Sequence, residues 1–320
     1  MAIALTPMSL QDYGNAIAPG VRKAYFDTYK IEEPKLNLVA TVSTLEDYNQ
    51  LEVNFSDLGL FELTGEGEAY KEDAMLEGFT TTYTPLKYTK RVPITEELMI
   101  FDKQGITSKS TIGQAISRVT TATIEGGIAS VYNNGFDTNF VSYSDGKPLF
   151  SSNHTRVDGG SAFSNVSTAG LPLTHDNLAF AITQMQKTLS DRGINSPLKA
   201  RTLLVPPDLE ALALEIVKSA GRSDTAERSD NVYGMTEYAG SGIKVVVWTY
   251  LTSSTAWFLI ADKSPICWKW AIKPQLGTID DTDENKNGTF AFSSKFMYAV
   301  GWGNPREVYA SKGDSLNYAG

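Results

Sequence analysis

The chain has 320 residues, 42% of them hydrophobic and 20% charged, which is typical of a globular protein of about two domains with substantial cores. Its formal net charge of -9 excludes a surface that, as a whole, attracts nucleic-acid phosphates. An acidic surface is nevertheless compatible with DNA packed beside it, because the DNA would not adhere. The single cysteine, Cys267, excludes an intramolecular disulfide and is predicted to be a small buried apolar residue.

The N-terminal residues predict an arm, residues 1–38, that proline and glycine interrupt repeatedly. A short helix is predicted near Val21–Lys30, with three aromatic residues on one face: Tyr25, Phe26 and Tyr29. Alone this segment cannot bury those rings, so we expect them to dock on a neighbouring surface. Met1–Leu10 lacks the features of a signal peptide, and no apolar run approaches the ~18 residues of a membrane span, so cytoplasmic synthesis is expected.

The segment Leu45–Gly78 is unusual because it carries ten acidic residues and a single base, Lys71, together with many apolar residues. Strand-like sequence runs outward over Val39–Leu63 and returns with period-two alternation over Phe79–Thr95, which predicts a long two-stranded hairpin. Excursions of this length are uncommon unless they are functional. The segment is too apolar for a free loop, so we expect it to contact another copy of the chain. The apolar residues are Leu58, Leu60, Phe61, Leu63, Tyr70, Met75, Leu76 and Phe79.

A long helix is predicted to begin near Thr107 or Ser108, either of which can cap it. It runs to Tyr132 and ends at the Asn133-Asn134-Gly135 stop signal, a length of roughly 37 Å. Its apolar residues recur at helical spacing: Ile112, Ala115, Ile116, Val119 and Ala122. Many of its residues form helices poorly, so we expect packing against a sheet to hold it. Gly126-Gly127 would permit a bend or the close approach of another backbone.

The C-terminal half alternates strands and helices. Phe136–Leu173 is polar and without periodicity, and a helix over Leu173–Leu189 follows, capped by Thr174 or Asp176. A strand is predicted at Ala200–Val205, and a helix follows from Pro206-Pro207. The inward residues of this helix are Leu209, Leu212, Ala213, Ile216 and Val217. Further strands are predicted at Ile243–Tyr250, Ala256–Ala261, Trp268–Ile272, Thr289–Val300 and Arg306–Tyr309. Thr174–Trp270 therefore predicts one compact α/β unit. Its tryptophans are predicted core or interface anchors: Trp248, Trp257, Trp268 and Trp270.

Candidate catalytic and metal-binding residues are few. The chain has two histidines, and His154 lies near Ser151 and Ser152, but sequence neighbours rarely form a triad, so we expect a turn histidine. Asp283–Gly288 matches the first half of a calcium loop, but its twelfth position is Ser294 rather than glutamate, which favours a tight turn. We predict no catalytic residues, no metal site and no cofactor.

Five segments, taken in order, carry a resemblance to a known family. They are residues 65–79 (GEGEAYKEDAMLEGF), 90–99 (KRVPITEELM), 145–154 (DGKPLFSSNH), 173–178 (LTHDNL) and 203–210 (LLVPPDLE). With this ordered set the chain resembles major capsid proteins of tailed bacteriophages of the Hong Kong 97 (HK97-like) type, most closely the head subunits of Mu-like phages. The resemblance covers nearly the whole chain.

The resemblance implies an α+β, HK97-like capsid fold. Its parts would be the N-terminal arm 1–38, an extended β-hairpin loop 45–92, a peripheral domain 93–173 and 271–320 with a spine helix at about 107–133, and an α/β axial domain 174–270. Copies would form the pentamers and hexamers of an icosahedral shell around double-stranded DNA in the virion, after assembly in the bacterial cytoplasm. The implied partners are other copies, a separate scaffolding protein, a portal, a decoration protein and DNA bound without sequence specificity, with no membrane and no enzymatic activity.

The resemblance also implies that the loop and arm hold neighbouring subunits together. The expected inter-subunit residues are Leu58, Leu60, Phe61, Lys71, Met75, Leu76, Phe79, Arg22, Lys23, Tyr25 and Phe26. Acids of the loop would meet bases on the neighbour: Arg22, Lys23, Lys87, Lys90 and Arg91. Some relatives crosslink a loop lysine to an asparagine, but no convincing partner for Lys71 occurs, so we predict no crosslink. The alternatives are an encapsulin-like compartment, an α/β hydrolase and a soluble oligomeric binding module.

Overall fold

The computed structural model describes residues 23–29, 35–95, 97, 101, 109–218, 242–279 and 289–317. Residues 23–29 are helical, and the other α-helices are α1 (Leu36–Val39), α2 (Lys109–Asn133), α3 (His175–Gln186) and α4 (Glu210–Lys218). The strands are β1 (Thr41–Thr44), β2 (Gln50–Phe55), β3 (Glu77–Tyr83), β4 (Leu86–Thr95), β5 (Thr202–Val205), β6 (Lys244–Val247), β7 (Trp257–Ile260), β8 (Ile266–Ile279), β9 (Thr289–Trp302) and β10 (Val308–Ser311). The predicted cap at Thr107 or Ser108 and the turn Asp283–Gly288 lie outside the described residues.

The first sheet has the order β1-β8-β9-β4, with β9 antiparallel to both of its neighbours and β1 parallel to β8. Helix α2 packs on this sheet through a stack of aromatic rings, in which Tyr298 lies 3.8 Å from Trp268 and 5.0 Å from Tyr88, centroid to centroid. This arrangement confirms the prediction of a 25-residue helix held against a sheet.

The buried side of α2 differs in part from the predicted one. Ile112 and Ile116 are buried as expected, but Ala115, Val119 and Ala122 are exposed. The buried stripe instead continues at intervals of four through Thr120, Ile124 and Ile128. Thr120 is tolerated there because its hydroxyl donates to the Ile116 carbonyl at 2.8 Å and is thus satisfied.

The glycine pair of α2 shows why one of the two positions is restricted. A Cβ at Gly127 would lie 2.2 Å from the Tyr298 hydroxyl oxygen, whereas a Cβ at Gly126 would meet nothing within 4 Å. The close approach is therefore real, but the neighbour is a ring rather than a backbone.

The two glycines provide a matched test. We expect Gly127→Ala to lower the free energy of unfolding by about 1–3 kcal/mol, because the stacked Tyr298 ring must shift. Gly126→Ala should instead stabilise by up to about 1 kcal/mol through helix propensity. Urea unfolding of both variants measures the difference, and equal effects at the two positions would contradict the packing described here.

The second sheet has the order β10-β7-β5-β6, with β5 parallel to β6 and β7 antiparallel to both β5 and β10. Helices α3 and α4 share a buried core with this sheet. The Thr174 hydroxyl caps α3 as predicted, accepting from the Asn177 amide at 3.2 Å. The predicted inward residue Leu212 of α4 is exposed, while its neighbours Ala213 and Ile216 are buried.

Strand membership corrects the predicted composition of the α/β unit. The segment Trp268–Ile272 is a strand, as predicted, but it belongs to β8 in the first sheet. Strand β10, which lies outside the predicted unit, instead pairs with β7 at the edge of the second sheet. All four predicted anchor tryptophans are buried, which confirms their role in the core.

Among the described helices, none has the length and apolar character needed to cross a membrane.

Candidate inter-subunit interface

The extended loop is attached to the first sheet by a two-stranded ribbon. Strands β2 and β3 pair antiparallel, with a bulge between Val53 and Phe55. Lys269 of β8 is almost fully buried, forms an ion pair with Glu52 and lies 4.5 Å from the Tyr83 ring centroid. The predicted hairpin is thus present at this base. Its return half is not continuous, because β4 leaves the ribbon and pairs with β9.

Beyond the ribbon lies the loop tip, which we define as residues 56–76. Its two ends are held together at Ser56, whose amide donates to the Leu76 carbonyl and whose hydroxyl accepts from the Leu76 amide, both at 2.9 Å. Further out, the Asp73 carboxylate accepts from the Gly59 amide at 2.6 Å. The tip is therefore closed by one backbone hydrogen bond and by side-chain hydrogen bonds of Ser56 and Asp73, without continued strand pairing.

The tip exposes large apolar side chains. Phe61, Leu63 and Tyr70 have 107%, 97% and 92% relative exposure, and the other tip apolar residues that are more than half exposed are Leu58, Leu60 and Met75. Leu76 is half-buried, and so is Phe79, whose ring packs 5.4 Å from Tyr143 of the same chain. Large exposed apolar surfaces on a folded chain mark interaction sites.

Several acids of the loop have partners within the same chain. Glu62 pairs with Lys71 at 3.5 Å, and Asp73 pairs with Arg192, a base that the sequence reasoning did not single out. The Gly59 amide, and then Arg192, hold the pKa of Asp73 below its usual value. Glu66 and Glu72 are exposed. The attraction to bases of a neighbour stays a prediction for these outer acids, whereas Asp73 is engaged by a base of its own chain.

The arm contributes differently from the prediction. The Tyr25 side chain has 0% exposure and lies in a core cluster with Ile94, Ile116 and Phe292, so it packs in its own chain rather than on a neighbour. The edge of the first sheet and the start of α2 together enclose the ring. Phe26 and Lys23 are exposed, and their contact with a neighbour stays a prediction. Arg22 lies outside the described residues.

A cleft of about 770 Å³ runs across the first sheet beside Phe26. Lys90 and Arg91 of β4 line it, as does Lys295 of β9, which lies directly opposite Thr89 in the register. Lys295 was missed because nothing in its local sequence places it beside β4. The cleft has basic edges, in contrast to the acidic loop.

His154 is a buried structural residue and not the predicted turn histidine. Its Nδ1 lies 2.7 Å from an Asp145 carboxylate oxygen and its Nε2 lies 3.3 Å from the Leu149 carbonyl oxygen. The ring stacks on Phe163 at 5.1 Å, and the Arg306 guanidinium lies 4.0 Å from the centroid of the same phenyl ring. Both ring nitrogens are thus engaged by acceptors other than a serine, which opposes the hydrolase alternative.

Metal-binding and thiol chemistry have little support in the part of the chain that the structure describes. Within it, no group of three or more His, Cys, Asp or Glu side chains is arranged to hold a metal ion. Cys267 is half-buried, and burial raises the pKa of its thiol. The most distinctive features of the described residues are therefore the exposed loop tip and the basic cleft.

Comparison with known proteins gives a family and a fold. A family model described as phage capsid protein matches residues 78–311. A search of curated proteins finds no significant match. The chain is similar to the solved capsid of Myoviridae phage XM1, with 12% identity over 87% of this chain and 90% of that one and a TM-score of 0.54. It is also similar to the capsid of cyanophage P-SCSP1u, with 13% identity over 85% of each chain and a TM-score of 0.53. A chain of Gordonia phage Cozz matches with 10% identity over 86% of this chain and 85% of that one, at a TM-score of 0.51. These similarities confirm the predicted HK97-like α+β fold.

Proposed function

The chain belongs to the phage capsid protein family, and from that premise we propose that its loop tip fastens each subunit to the next in the shell. The protein is a major capsid protein that forms the shell of a virion. The single observation that supports the proposed role of the tip is its set of exposed apolar side chains, above all Phe61 and Leu63. A folded subunit that presents such residues on a projecting loop gains most by burying them on another subunit.

The energetics favour apolar burial over charge pairing. Buried apolar surface contributes about 25 cal/mol per Å², whereas exposed ion pairs contribute only ~0–1 kcal/mol each. The outer acids Glu66 and Glu72 then select the receiving surface, and the basic cleft with Lys90, Arg91 and Lys295 is complementary to them. Repetition over a closed shell makes these weak contacts collectively strong.

A triple substitution, Leu60→Ser with Phe61→Ser and Leu63→Ser, tests this role. All three side chains are exposed, so we expect an unchanged thermal unfolding curve and an assembled fraction at least about tenfold lower, since tenfold corresponds to about 1.4 kcal/mol. Sedimentation velocity and negative-stain micrographs measure assembly. Leu316→Ser, also exposed but outside the loop, is the control for lost apolar area. Normal shells from the triple variant would refute the proposal.

The finer features of assembly belong to the same proposal. We infer a shell of pentamers and hexamers, assembled in the bacterial cytoplasm with a separate scaffolding protein, a portal and a decoration protein, and a purely structural, non-enzymatic role. The division into arm, loop, peripheral domain and axial domain stays a prediction, and so does the closer similarity to Mu-like phages. The net charge of -9 supports the proposal that the shell encloses DNA without sequence-specific binding. Nuclease-protected double-stranded DNA in purified particles would support this, whereas a folded cargo protein would favour the encapsulin-like alternative.

A further inference from the structure

The turn between α3 and β5, residues 189–195, is held rigidly by the body of the chain. Within the turn, the Ser190 amide donates to the Ile194 carbonyl at 2.7 Å. From outside it, the largely buried Arg306 guanidinium donates to an Asp191 carboxylate oxygen at 2.8 Å. A second Arg306 nitrogen donates to the Leu189 carbonyl at 2.9 Å. The turn is thus a fixed platform.

Arg192 extends from this platform to the loop tip. Its guanidinium forms an ion pair with Asp73 and donates to the Ala74 carbonyl at 3.4 Å. The same Asp73 carboxylate accepts from the Ala74 amide at 2.9 Å and from the Gly59 amide at 2.6 Å. Asp73 therefore links both halves of the tip to one arginine, and the pair is half-shielded from water, with side-chain exposures of 20% for Arg192 and 39% for Asp73.

Arg192 matters because the tip has little other support. The tip continues from the two-stranded ribbon, whose base is anchored to the body by the Glu52–Lys269 ion pair and by the bridge between Thr81 and Tyr143. The tip lies beyond these contacts, and two-stranded ribbons are only marginally stable on their own. Between the tip and the turn lies an open cleft of about 850 Å³, lined by Leu58, Phe61 and Tyr70 on one side and by Gly193 and Ile194 on the other. Among the described residues, Arg192 provides the hydrogen bonds and the ion pair that cross from the body to the segment 57–76.

We propose that Arg192 is a positioning residue for shell assembly, which holds the loop tip at the angle that presents its apolar side chains to the neighbouring subunit. This inference rests on the proposed function of the tip. Holding the tip in its docking orientation lowers the conformational entropy lost on binding. If the free tip adopted that orientation only about a tenth of the time, the apparent affinity between subunits would fall about tenfold.

The test compares Arg192→Ala and Arg192→Lys with Arg201→Ala. Arg201 also pairs with an aspartate, Asp262, and its backbone bonds join it to Lys244 and Ile260 of the second sheet, so it is a matched control. In unassembled protein we expect hydrogen exchange in residues 57–76 to be about tenfold faster for Arg192→Ala and intermediate for Arg192→Lys, which keeps the charge but not the planar fork. Light scattering should show that Arg192→Ala needs about tenfold more subunit to assemble, and raising the concentration should restore normal shells.

Three results would overturn the proposal. Unchanged exchange in residues 57–76 would show that Arg192 does not hold the tip. Faster exchange with an unchanged concentration dependence would show that holding it is irrelevant to assembly, and assembly at lower concentration would show that the pair restrains the tip from its partner. The Leu60, Phe61 and Leu63 triple variant distinguishes a failure of the positioning role from a failure of the proposed function. If it stays unassembled at high concentration while Arg192→Ala behaves as the native protein, only the positioning role fails; if it assembles normally, the proposed function fails.

Discussion

Replacing residues 57–75 with an Asn-Gly turn should give a folded protein that forms no shells. The cut ends are already adjacent, because the Ser56 amide donates to the Leu76 carbonyl at 2.9 Å, and a two-residue turn of this type closes antiparallel strands. The excised residues are mostly exposed, so the free energy of unfolding should change by less than about 1 kcal/mol. Assembly should be lost entirely, since the tip apolar residues and the outer acids are removed together.

Sedimentation velocity and electron micrographs at several subunit concentrations measure this result. A second variant, in which residues 57–75 are replaced by a glycine–serine segment of the same length, separates the loss of length from the loss of side chains. We expect it to remain unassembled as well, because a flexible polar segment buries no apolar surface. Shells of normal size from the shortened protein would contradict the role assigned to the tip.

His154→Ala should lower the free energy of unfolding by at least about 1–3 kcal/mol, the usual cost of leaving a buried polar group without its hydrogen-bond partner. The Asp145 side chain is only 1% exposed and would remain as a buried carboxylate without His154, 2.7 Å away in the native chain. The substitution also removes the ring that stacks on Phe163, and so leaves a cavity next to that phenyl ring. Fewer folded subunits, and hence fewer shells, should follow.

Urea unfolding measures the change, and His175→Ala is the control. His175 is the other histidine of the chain, and its Nδ1 lies 3.8 Å from a carboxylate oxygen of Asp176. Its side chain is 11% exposed, whereas that of Asp176 is 80% exposed, so His175→Ala leaves no carboxylate buried and we expect a smaller loss of stability than for His154→Ala. A second variant, His154→Ala with Asp145→Ala, should recover part of the lost stability because no carboxylate then remains buried without its partner. Equal unfolding curves for His154→Ala and His175→Ala would contradict the structural role of the buried pair.

The exposure of the loop tip was predictable from composition, because an acidic segment with many apolar residues cannot bury them by itself. Leu60, Phe61 and Leu63 are exposed accordingly. Phe79 was assigned to the same set but packs on Tyr143, a residue far away in the chain. Arg192 was not found at all, since a single arginine in a polar turn has no local signal that points to Asp73.

By itself the sequence determined the local elements of this protein, among them helix α2 to its last residue, the Thr174 cap and strand β5. Periodicity and capping act between residues a few positions apart, so a linear reading contains them. Only the tertiary structure decided that β8 joins β9 rather than β7, that Tyr25 is enclosed by its own chain, and that His154 is paired inside a core. These outcomes depend on surfaces that meet only after distant segments have packed, and no local pattern encodes which surfaces those are.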